Sequence, residues 1–166
     1  MMENKSSHIV NKTLEALRRN GFKAVYAQNR KEALQSILKE IPSEAVVGAG
    51  DSLTLKEIGV FEELKGKGFA LFWPFDEKVA KEERRNIERK ALLTDVFLSG
   101  SNALTMDGKI VNVDATGNRV VGMIFGPKKA IVVVGVNKIV KNVKEALKRI
   151  RKVAALWVMG HVLNIK

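Results

Sequence analysis

The apolar positions of the chain change their period several times, and each change marks an element. Ile9, Val10, Thr13, Leu14 and Leu17 recur at helical spacing, with Gly21 as a stop. Phe22 to Ala27 is a short extended run. Asn29 opens an Asn-Arg-Lys-Glu capping box that closes on Glu32. Ala33, Leu34, Ile37, Leu38 and Ile41 then line one helical face, and Pro42 ends it. Ala45 to Gly48 reads as a short buried strand. Thr54 to Lys65 reads as one helix with Ile58, Phe61 and Leu64 inward. Phe69 to Trp73 is a continuous apolar strand closed by Pro74. Asp76 is placed to cap a long charged helix running to Leu93, and Asp95 to Leu98 is the next strand.

Beyond Ser99 the pattern shifts. Ala103 to Thr105, the turn Met106-Asp107-Gly108 and Lys109 to Val113 predict a β-hairpin. Val120 to Phe125 is a short apolar helix, and Ala130 to Val134 a fully apolar strand. Gly135-Val136-Asn137-Lys138 is a loop that starts a basic helix over Asn142 to Val153. Continuous apolar strands separated by helices predict an α/β fold: a mostly parallel sheet with helices on both faces, plus the hairpin as an antiparallel insertion. With no internal repeat and no linker, residues 1–166 read as a single domain.

Composition narrows the chemistry. The 166 residues include no cysteine, so a disulfide framework, a thiolate zinc site, a self-contained iron–sulfur cluster and a cysteine nucleophile are all excluded. The two histidines, His8 and His161, sit near opposite ends, against a histidine-rich metal site. His8 reads as a surface residue of the first helix, and His161 as part of an apolar tail that packs. No signal-peptide core opens the chain and no apolar run approaches the roughly 18 residues of a membrane span, so a cytoplasmic protein without a membrane is expected.

The net charge of +11 is uneven. Lys128 to Lys152 holds nine basic residues against one acid, Glu145, and so carries +8 of it. A solvated lysine-rich face explains this segment best. An acidic docking partner is the sharper reading, and nucleic acid the weakest, because no aromatics interleave with the basic residues.

In an open α/β sheet, ligands sit at the carboxyl ends of the strands. Three such loops carry small and polar residues. The first is Gly48-Ala49-Gly50-Asp51-Ser52-Leu53-Thr54, where the glycines permit a sharp turn and Ser52 and Thr54 add hydroxyls. It matches neither the Walker motif nor the dinucleotide fingerprint, and it reads equally as a strand-to-helix turn capped by Ser52. The second is Ser99-Gly100-Ser101-Asn102. The third is Asp114-Ala115-Thr116-Gly117-Asn118-Arg119, preceded by Asn112. Arg119 suits a carboxylate or phosphate clamp. The competing reading is a turn in which Asp114 and Asn118 satisfy backbone groups and Arg119 pairs with Asp114. Asn137 and Lys138 belong to a fourth loop at the same strand ends. The acids near these loops are Glu57, Asp51, Asp107 and Asp114; Asp107 reads as a turn residue, Asp51 and Asp114 are candidates for an acid or base, and no Ser/His/Asp constellation is legible.

Taken together, these segments resemble the LUD domain, the lactate-utilisation family of the LutC and YkgG type. The resemblance rests on residues 46–59, 94–108, 110–120 and 123–140 and spans roughly residues 5 to 155. It implies a fold like the NagB/RpiA/CoA-transferase group, whose members bind sugar phosphates or acyl-CoA thioesters with strand-end loops. It also implies a role beside iron–sulfur partner subunits that oxidise L-lactate to pyruvate. Similar proteins often carry a cysteine-bearing tail beyond the position of Arg-Lys-Val-Ala-Ala. This chain has none, so any cluster is expected in a partner and no cofactor in the chain itself.

Three functions follow as expectations. The first is binding of a small anionic metabolite, with Gly48, Gly50, Ser52 and Thr54 cradling it and Asn112, Asp114, Asn118 and Arg119 orienting it. The second is a non-catalytic subunit docked through Lys141, Lys144 and Lys148. The third is nucleic-acid binding through that same face. A homo-oligomer is compatible with any of them.

Overall fold

The computed structural model describes residues 2–154, and side chains from residue 7 to 153. The C-terminal apolar segment with His161 lies outside the described residues. The chain divides into two compact units that alternate along the sequence. One contains residues 27–100 and 114–133. The other contains residues up to Tyr26, Ser101–Val113, and the residues from Val134 on.

The larger unit is a four-stranded, wholly parallel sheet. Its strands are β1 (Val47–Ala49), β2 (Leu71–Phe72), β3 (Val96–Gly100) and β6 (Lys129–Val133), in the order β2-β1-β3-β6. Register assigns the two faces. Val47 lies opposite Val96 and Ala49 opposite Leu98, and all four point into one core with Ile37, Leu55, Phe61 and Leu64. Those partners come from helices α2 (Arg30–Glu40), α3 (Leu53–Ile58) and α4 (Val60–Gly66). Phe61 also stacks on Trp73 with ring centroids 4.0 Å apart.

Gly48 and Phe97, paired between those positions, face the other way. A Cβ on Gly48 would strike the carbonyl of Ala91 at the end of α5 (Arg84–Ala91). One on Gly122, in α6 (Asn118–Ile124), would lie 2.5 Å from the Phe97 ring. Helices therefore cover both faces, and glycines set how closely two of them approach.

In the other unit, α1 (Met2–Arg19) accompanies a three-stranded sheet, β5-β4-β7. Strands β4 (Ala103–Thr105) and β5 (Ile110–Val111) form the predicted antiparallel hairpin. Strand β7 (Ile139–Val140) pairs parallel with β4. Helix α7 (Val143–Arg149) packs on all three strands, with Ala146 fully buried. The hairpin turn is seated against α1: Asn20 Nδ2 donates to the carbonyls of Asp107 and Gly108 at 3.1 and 3.0 Å.

Four local expectations are corrected. Phe22 to Ala27 pairs with no strand. The single helix over Thr54 to Lys65 is two, because Gly59 adopts φ +78° and reverses the backbone twist between α3 and α4. The helix expected from Asp76 begins only at Arg84. Asp76 is occupied by an ion pair with Lys65 at 2.5 Å and by the Lys78 backbone N–H two residues on, which makes a local turn rather than a helix cap. Gly135 to Lys138 does not start the basic helix. A short 3-10 turn (Val136–Lys138) leads into β7 first, and α7 begins after Asn142, whose side chain accepts from Glu145 N.

Candidate functional site

The strand-end residues of the larger unit are brought together by the register of β1 and β3. Gly48, Gly50 and Gly100 are buried. Gly50 N donates to the Leu98 carbonyl at 3.0 Å, which extends the β1–β3 pairing into the loop. Ser52 is the cap of α3: its Oγ accepts from Leu55 N at 3.3 Å. A Cβ on Gly100 would collide with that hydroxyl. Thr54 lies in the first turn of α3. Asp51 Oδ1 is buried without a well-angled hydrogen bond and sits 3.3 Å from Lys56 Nζ.

The Asp114–Arg119 loop closes on the same strand ends. A Cβ on Gly50 would lie 3.0 Å from Arg119 Cγ, so the glycine leaves the space that the arginine stem crosses. The guanidinium meets Asp114 through Nε at 2.8 Å and a terminal nitrogen at 2.5 Å, both on Oδ1. The second carboxylate oxygen accepts from Val120 N at 2.7 Å, inside the first turn of α6. The side chains are 7% exposed for Asp114 and 14% for Arg119. This is a desolvated, charge-assisted staple that locks the loop to the helix it precedes. Within the loop, Thr116 Oγ1 donates to Asn118 Oδ1 at 2.9 Å, and Gly117 takes φ +79°.

The open space is beside this staple rather than on it. A cavity of about 290 Å³ is bounded by Thr116, Gly117, Asn118 and Val121 on one side and by Arg85, Glu88, Arg89 and Leu92 on the other. Arg85 and Arg89 are one helical turn apart and share a face of α5. Glu88 lies 3.4 Å from Arg85, while Arg89 makes no ion pair among the described residues. The two arginines escape a sequence reading because residues 78–90 mix both signs of charge, as a solvated helix face does. Only the fold reveals that this face meets the glycine loop.

The remaining candidates lie in the other unit and serve its own backbone. Ser101 Oγ donates to the Ala103 carbonyl at 2.9 Å. Asn102 N donates to Asn112 Oδ1 at 3.0 Å, and Asn102 Oδ1 accepts from Val113 N at 2.9 Å, so the two amides bridge the hairpin ends. Lys138 Nζ donates to the Ser101 carbonyl at 3.1 Å, and a Cβ on Gly135 would meet Asn137 Oδ1 at 2.6 Å. His8 is exposed on α1.

Among the described residues, no group of three or more His, Cys, Asp or Glu could hold a metal, and no helix is long and apolar enough to cross a membrane. The fold is similar to a crystal structure of a duf162 family protein from Deinococcus radiodurans. The TM-score is 0.53 and the identity 17%, over 93% of this chain and 84% of that one. None of the curated proteins compared with the chain matches it. The LUD domain model matches residues 10–159, nearly the full length, and the chain belongs to the LUD-domain family.

Proposed function

We propose that the chain binds a small anionic metabolite, a carboxylate or a phosphate, in the cavity between α5 and the Thr116–Asn118 loop. The observation that carries this is the convergence of Arg85 and Arg89 on that loop around open space. Two guanidiniums against one carboxylate leave the lining net positive. Leu92 and Val121 offer a short apolar surface, and Glu88 can accept from a ligand hydroxyl. Arg119 is a positioning residue in this reading: with Asp114 it fixes the loop that forms one wall. The LutC resemblance makes a hydroxy acid or keto acid the natural ligand class. L-lactate oxidation to pyruvate releases two electrons and two protons, and a chain without cysteine would pass those electrons to an iron–sulfur partner subunit.

Titration calorimetry with lactate, pyruvate, a sugar phosphate and a CoA ester tests the proposal. Binding of at least one ligand is expected, weakened about tenfold or more by Arg89→Gln, the loss of one charge-assisted contact. No binding by any of them overturns it. Binding that survives Arg89→Gln but not Arg119→Lys would place the anion on the strand ends instead.

A further inference from the structure

The smaller unit carries a second cavity, of about 270 Å³, lined by Lys12, Arg19, Met106, Asp107 and Lys141. Lys12 and Arg19 sit seven residues apart on α1, two turns along one face, with Cα atoms about 10 Å apart. Lys141 follows β7 directly, and Met106 and Asp107 form the hairpin turn. None of the three cations makes an ion pair or hydrogen bond among the described residues.

The acid at the rim does not neutralise them. Asp107 is already engaged by Lys109 Nζ and by Thr105 Oγ1, and these partners hold its carboxyl below the usual carboxylate range. The walls are fixed as well. Gly108, at φ +80°, leaves no room for a Cβ against the backbone of Ala16, and Asn20 ties α1 to the turn carbonyls. Three cations without ion pairs among the described residues, against one carboxylate that Lys109 already engages, leave the concavity net positive and focus a positive potential into it.

We propose that this cavity is a binding site for a small, multiply charged anion, of which a diphosphate group is the type. Lys12, Arg19 and Lys141 supply the charge and Met106 an apolar contact for the ligand's body. The site shares no residue with the cavity of the larger unit, so it stands or falls separately from the proposed metabolite site.

Titration calorimetry with inorganic pyrophosphate on the full chain tests it. The expected result, measured in an Arg89→Gln background so that the metabolite cavity does not contribute, is a saturable site whose affinity falls at least tenfold on adding Arg19→Gln or Lys141→Gln. The dissociation constant should also rise with salt. Circular dichroism on each variant confirms that these exposed substitutions leave the fold in place. Three outcomes overturn the proposal: no binding of pyrophosphate, binding indifferent to Arg19→Gln and Lys141→Gln, or binding abolished by Arg89→Gln. In the first case, tight binding of duplex DNA in place of pyrophosphate would assign the surface to nucleic acid.

Discussion

Arg119 shows how much of the site rests on one residue pair. Its partner Asp114 is almost fully buried, so removing the arginine leaves a desolvated carboxylate with one backbone donor. Arg119→Ala is expected to lower unfolding stability by about 3–5 kcal/mol, measured by denaturant titration. A loss below about 1 kcal/mol would mean that water reaches the pair. Gly48 is a second such residue. Gly48→Ala drives a methyl into the Ala91 carbonyl, a backbone atom with no rotamer to yield, so α5 must move off the sheet. The expected readout is a lower melting temperature together with weaker ligand binding, since Arg85 and Arg89 ride on that helix. At this scale the sequence displays the chemical types but not their engagements. Asp114 and Arg119 are visible as a carboxylate and a guanidinium five residues apart. Whether they face each other or a ligand depends on the α6 turn that brings Val120 N to the same carboxylate.

At the scale of elements, caps and glycines decide where helices begin and end. Asn29 accepts from Glu32 N at 2.9 Å, and Glu32 reaches back to the Gln28 N–H at the same distance. Asn29→Ala and Asn142→Ala should each cost about 1 kcal/mol by losing a cap, with melting temperature as the measure. Gly59→Ala should cost a comparable ~1 kcal/mol, because its φ of +78° is strained for any side chain. These features also explain what periodicity conveys and what it misses. The α2 helix and the hairpin are legible because local hydrogen bonds and turn chemistry determine them. The break at Gly59 is not, since apolar positions keep helical spacing on both sides of it. The late start of α5 is also hidden: Asp76 resembles a cap until Lys65, eleven residues earlier, is seen to hold it. Strand β7 is only two residues long and is defined by its parallel partner Leu104–Thr105, so no local pattern announces it.

For the whole molecule, the +11 charge and its carboxylates give a pH dependence. Hydrogen bonds from lysines lower the pKa of Asp76 (Lys65), Asp95 (Lys128), Asp107 (Lys109) and Glu145 (Lys148). A carboxyl with a lowered folded-state pKa contributes stability that is present above its unfolded value. That stability is lost as pH falls through the folded one. Melting temperature should therefore hold between neutrality and the ordinary carboxylate range and fall below it. Protonation also increases the positive self-repulsion, so added salt should soften the acid loss. At the opposite end, Asp95 raises the pKa of Lys128, whose contribution lasts until pH climbs through that raised value. A melting temperature that rises on acidification below about pH 4 would contradict this account.

The alternation of the two units along the chain has a consequence for how the protein is made. Strand β6 pairs with β3 only after the ribosome has delivered the intervening hairpin, which belongs to the other unit. That hairpin waits in turn for β7 and α7, downstream of β6. Neither unit can finish before most of the message is read, so the nascent chain carries two open sheet edges at once during elongation. Gene fragments cut anywhere between the codons of Ala27 and Val133 would leave both units incomplete.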